Sequence, residues 1–244
     1  MKKLNILFVL IMALQISSCS DLCECFHGTG DVITEERSLG SISGIHLAND
    51  VDVIIYESNF SKIRVTAGDK LINDVKTSEK NGILYIQNDN KCNWVRKFNP
   101  TLTVEIWTNN IHSIYADNSS GDITCMDTLH VDDFRIDAFN SLGTFRLKIN
   151  TDVATLAINN GPCDMYVEGF AHTQYNYNAG FGVLNCENLL GENNYVHNKG
   201  TNQIYVNSNS ILEVTIGYIG NVYYKGNPVT IKKLITGSGK LIKI

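Results

Sequence analysis

From Leu39 onward the chain alternates apolar and polar residues in short runs, each closed by Asn, Asp, Gly or Ser. A period of two puts successive side chains on opposite faces of an extended chain, so these runs predict half-buried β-strands. Examples are Val51-Asp52-Val53-Ile54-Ile55-Tyr56, Lys62-Ile63-Arg64-Val65-Thr66 and Leu102-Thr103-Val104-Glu105-Ile106-Trp107. Asn81-Gly82 separates Val75-Lys76-Thr77 from Ile83-Leu84-Tyr85-Ile86, the signal of a tight hairpin turn. No segment has the periodicity of an amphipathic helix.

In the second half the turns recur at a nearly constant interval. Gly121, Ser141, Gly161, Gly180, Gly200 and Gly217 are separated by 20, 20, 19, 20 and 17 residues. Four residues after the first five stand Cys125, Phe145, Met165, Leu184 and Ile204. Six residues after the second to fifth stand Leu147, Val167, Cys186 and Val206. Apolar residues in matching phase within a repeat of about 20 residues suit a β-solenoid, whose coils bury their inner faces only by stacking on one another. The reading is an all-β solenoid domain over residues 39–244, preceded by a tether over 19–38.

The amino terminus changes the setting of this domain. Met1-Lys2-Lys3, an apolar stretch from Leu4 to Leu14 and Ser17-Ser18 before Cys19 have the order of a secretory signal, and the apolar stretch is too short to span a bilayer. Ile16-Ser17-Ser18-Cys19 resembles a bacterial lipobox, so residues 1–18 are expected to be removed and Cys19 to carry acyl chains, palmitate included. At ~0.8 kcal/mol per buried methylene, several chains hold a protein to a membrane for long times. Ser20 favours delivery to the outer membrane.

Loss of residues 1–18 takes two lysines from the 20 basic residues and leaves 25 acidic ones, a net charge near −7. Such a chain is not expected to bind nucleic acid. Six cysteines remain besides Cys19 and match no zinc framework. Cys125, Cys163 and Cys186 lie at even offsets from their turns and are expected to point inward on different ladders. Cys23 or Cys25 with Cys92 is the pairing left open.

Candidate chemistry is sparse. His27, His46, His112, His130, His172 and His197 are scattered, and no metal or cofactor is expected. Glu35-Glu36 and Asp132-Asp133 are strand neighbours, which face opposite sides and make poor acid/base pairs. Between Gly161 and Gly226 the basic residues are Lys199 and Lys225 alone, little for binding an acidic polysaccharide as a lyase or hydrolase must. Gly237-Ser238-Gly239-Lys240 has no helix after it to complete a phosphate cradle. Gln174-Tyr175-Asn176-Tyr177-Asn178 and Asn193-Asn194-Tyr195 combine flat amphipathic rings with uncharged amides. Tyr175, Tyr177 and Tyr195 are therefore the candidate ligand contacts.

Three stretches carry a family resemblance. They are Ile42-Ser43-Gly44-Ile45 leading to Val51-Asp52-Val53-Ile54-Ile55; Ile63-Arg64-Val65-Thr66-Ala67 followed by Asn81-Gly82-Ile83-Leu84-Tyr85-Ile86; and Val104-Glu105-Ile106 leading to Ile111-His112-Ser113-Ile114-Tyr115 and Ser119-Ser120-Gly121-Asp122-Ile123. In these the chain resembles the auto-transporter adhesin, head GIN domain family of Bacteroidetes lipoproteins, across roughly residues 39–226. Tyr56-Glu57-Ser58-Asn59 departs from it, where the family has a Gln-Gly turn. The resemblance implies a right-handed, single-stranded β-helix-like fold and a role in adhesion, with no catalytic residue to carry over. The expected function is contact with a glycan or protein ligand without catalysis. The alternatives are a structural or assembly component of the envelope and, third, a polysaccharide-active β-helix enzyme.

Overall fold

The computed structural model describes residues 28–91 and 102–244. Its strands are β1 (Val32–Arg37), β2 (Gly44–Asn49), β3 (Asp52–Tyr56), β4 (Lys62–Gly68), β5 (Val75–Lys80), β6 (Ile83–Asn88), β7 (Thr103–Trp107), β8 (Ser113–Ser119), β9 (Ile123–Cys125) and β10 (Leu129–His130). They continue as β11 (Asp133–Phe139), β12 (Thr144–Ile158), β13 (Asp164–Asn178), β14 (Leu184–Asn198), β15 (Ile204–Ile216), β16 (Val222–Lys225), β17 (Thr230–Ile235) and β18 (Leu241–Lys243). The only helical turn among the described residues is the three-residue 3₁₀ segment Ile72–Asp74.

The strands build a β-solenoid with two long walls. On the first wall β4, β7, β3 and β9 lead into the opening parts of β12 to β15, then β16 and β18. On the second, β5, β6, β2, β8 and β11 lead into the closing parts of β12 to β15, then β17. From β12 to β15 each coil is one long strand bent round the core, paired in parallel with the coils on either side. Phe145, Met165, Leu184, Ile204 and Val222 are in register and fully buried, so apolar residues stack through the core as the 20-residue repeat requires.

The turns that mark the repeat have a common construction. The buried Asn178 accepts from the Gly180 amide and donates to the Gly182 carbonyl, each at 2.9 Å, and Asn198 does the same with Gly200 and Asn202 at 3.0 Å. The side-chain amide thereby supplies the partners that the buried turn backbone would otherwise lack. A Cβ on Gly180 would stand 2.4 Å from the Gly161 carbonyl oxygen, so glycine permits the turns to stack.

Three findings modify the sequence reading. Strand β1 lies within the expected tether and pairs antiparallel with β4 from Val32 to Arg37, so the ordered fold begins ahead of Leu39. Ile123, not Cys125, is in register with Phe145, because the coil of β9 to β11 carries extra residues around Met126-Asp127-Thr128. This sets Cys125 beside Leu147 and makes it share a ladder with Cys186, against the expectation of separate ladders. Finally, β2 and β3 insert between β6–β7 and β8–β9, so strands distant in sequence are neighbours there. The Asn81-Gly82 turn is as expected: φ is 53° and 75°, the positive values of a two-residue hairpin joining β5 to β6.

Candidate functional site

Along the closing part of each coil, alternate residues face solvent, and the register sets them in rows across the second wall. Thr155, Tyr175, Tyr195 and Glu213 form one row; Ala157, Tyr177, His197 and Thr215 form the next. The three tyrosines singled out in the sequence therefore meet on one surface. Tyr175 stacks on Tyr195 with centroids 5.2 Å apart and planes at 17°, and Tyr177 meets His197 edge-on at 5.6 Å. The rings line a shallow depression of about 250 Å³. Tyr175 is exposed, while Tyr177 and Tyr195 are half-buried. Burial and the charge of Lys199 hold the His197 imidazole below its ordinary range, so the site is neutral there at neutral pH.

The Tyr177 row continues toward the amino-terminal coils through Asp137, Tyr115, His46 and Tyr85. His46 packs edge-on against Tyr115 at 5.0 Å and Tyr85 at 5.2 Å, and Tyr115 lies 5.2 Å from Phe139. Asp137 separates the two aromatic patches and is held bidentately by Arg135 at 2.5 and 3.1 Å. The sequence reading missed this second patch, because nothing local in the chain places β2 beside β8.

Other candidates resolve into structural roles. Cys125, Cys163 and Cys186 are buried free thiols; burial pushes the first two up to about 12 and raises the third as well. Such thiols are poor nucleophiles. Glu35 pairs with Arg37 and Glu36 with Lys62, on opposite sides of β1. His172 faces Glu192 at 3.4 Å and is on a different row from His197. Among the described residues no three His, Cys, Asp or Glu side chains converge. Gly237 and Gly239 stack on the preceding turn at Tyr218 and Gly220, and strand β18 follows them. Cys19, Cys23, Cys25 and Cys92 lie outside the described residues.

Residues 42–228 match the family described as "Putative auto-transporter adhesin, head GIN domain". The chain belongs to this family. Its head GIN domain is similar in structure to a "putative adhesin" of Bacteroides fragilis, with a TM-score of 0.81 at 16% identity over 88% of this chain and 97% of that one. A "putative adhesin" of Parabacteroides distasonis gives a TM-score of 0.67 at 17% identity, over 89% and 98% of the two chains. A "putative lipid binding protein" of the same species gives 0.69 at 18% identity with the same coverage. At these identities the likeness concerns the fold alone. No curated protein matches the chain.

Proposed function

We propose that this head GIN domain is a non-catalytic recognition module of the bacterial envelope, held to the membrane by lipid on Cys19, and that the Tyr175, Tyr177 and Tyr195 surface contacts a glycan or protein ligand. The observation that carries the reading is the assembly of the three tyrosines, from two adjacent coils, around one open depression whose charged lining residue, Glu213, is paired with Lys232. Rings on stiff stacked strands lose little conformational freedom on binding, and their hydroxyls offer hydrogen bonds without a charge to desolvate. The adhesin family supports display at the cell surface, and the signal and lipobox residues support the anchor.

A screen of the soluble chain from residue 20 against arrayed glycans and extracellular matrix proteins tests the recognition role, with a denatured sample beside it. Binding that is lost on unfolding is expected; silence across the array favours a structural or assembly role in the envelope. Labelling cells with radioactive palmitate tests the anchor: Cys19→Ala is expected to abolish incorporation and release the protein from membranes.

A further inference from the structure

On the first wall, the outward row Thr124, Arg146, Tyr166 and Asn185 runs beside a second row containing Lys148, Glu168 and Asn188. Between them is a groove of about 320 Å³, within the ~300–1,000 Å³ range of small-ligand sites. Its shape has a local cause. Tyr166 is opposite Asn185 but Glu168 is opposite Asn188, so β14 carries one extra residue here, a β-bulge at the groove. The groove crosses four strands, ~14 Å at the ~4.8 Å strand spacing.

Its charges are unevenly matched. Lys148 reaches Glu168 at 3.6 Å and donates to the Met126 carbonyl at 3.4 Å. Arg37, Arg64 and Arg135 each hold a carboxylate of the chain. Arg146 has no carboxylate partner among the described residues; its guanidinium lies over the Tyr166 ring, 5.6 Å from the centroid. A guanidinium held on an aromatic face keeps its donor fork free for a bidentate anion. Met126, 48% exposed, and Tyr166, 39% exposed, add apolar surface, and Asn185, Asn188 and Thr124 add neutral hydrogen-bonding groups.

We infer that this groove binds a carboxylate-bearing glycan, with Arg146 holding the carboxylate, Tyr166 and Met126 against the C–H face of the sugar, and the two asparagines on its hydroxyls. One free cation among several neutral donors and acceptors suits an acidic sugar ring. An acidic peptide fits less well, because the groove strands already have both edges paired and cannot take an added strand. The site is on the opposite wall from the tyrosine surface and stands independently of it.

The test is calorimetric titration of the full chain in detergent with trigalacturonate and 3′-sialyllactose, against maltotriose and triglutamate. Binding of at least one acidic sugar is expected, with maltotriose and triglutamate at least tenfold weaker. Arg146→Gln is expected to weaken it about tenfold or more, the scale of a lost charge-assisted pair. Tyr166→Ala should also weaken it, with unchanged circular dichroism. No binding of either acidic sugar, equal binding of maltotriose, or indifference to Arg146→Gln overturns the proposal. Preference for triglutamate overturns the glycan assignment in favour of an acidic peptide.

Discussion

The ring of Tyr175 lies on that of Tyr195, 5.2 Å away and 17° from parallel. Each covers a face of the other, so a ligand at this surface meets ring edges and hydroxyls. Tyr195→Ala is expected to remove the stack and lower stability by about 0.5–1.5 kcal/mol beyond its area term, read from the urea midpoint. Tyr175→Phe keeps the stack; it should leave the midpoint unchanged and weaken any ligand held through the hydroxyl.

Phe145 and Arg146 are adjacent in β12 and point opposite ways, one fully buried between Ile123 and Met165, the other exposed. Phe145→Ala is expected to cost about 3–5 kcal/mol through lost burial and the cavity left in the ladder. Arg146→Ala should stay within about 0.5 kcal/mol of wild type. Chemical denaturation of the two variants measures the contrast.

The buried thiols give a test of packing. With Cys125 and Cys163 raised to about 12 and Cys186 also raised, almost no thiolate exists at pH 8, and the core excludes reagent. In a chain whose Cys19, Cys23, Cys25 and Cys92 are replaced by serine, Ellman's reagent should find no reactive thiol in the native state. It should find all three in urea.

Glu105 accepts two bonds from Arg64, both at 2.6 Å, and one from Tyr56 at 3.3 Å. The Arg64 bonds hold its carboxyl below the usual carboxylate range. A folded-state pKa below the unfolded one adds stability above the ordinary range near pH 4.5, which is lost as pH falls through the lowered value. Asp52 acts in the opposite sense, since burial raises its carboxyl. Urea midpoints measured from pH 7 to pH 3 should fall less steeply for Glu105→Gln than for wild type.

Legibility followed the range of the interactions. The later coils were readable because each repeats the last after about 20 residues, so matching phase in the sequence becomes register in space. That is why Tyr175 and Tyr195, 20 residues apart, could be chosen together. The amino-terminal half follows no such rule: His46 meets Tyr115 only because β2 inserts beside β8, and β1 joins the fold through β4, more than 25 residues later in the chain. The Cys125 ladder was misread because extra residues after it break the phase. The Arg146 groove was hidden for a similar reason, since the far side of its lining is formed by a one-residue bulge in β14, two strands from Arg146.

The central claim is that the outer tyrosine surface recognises a ligand. The most direct measurement compares wild type with the double variant Tyr175→Ala, Tyr177→Ala on the same glycan and matrix-protein array, after circular dichroism has shown both to be folded. The account predicts reproducible binding by wild type and its loss in the variant. Equal binding by both, or none by wild type, would contradict it.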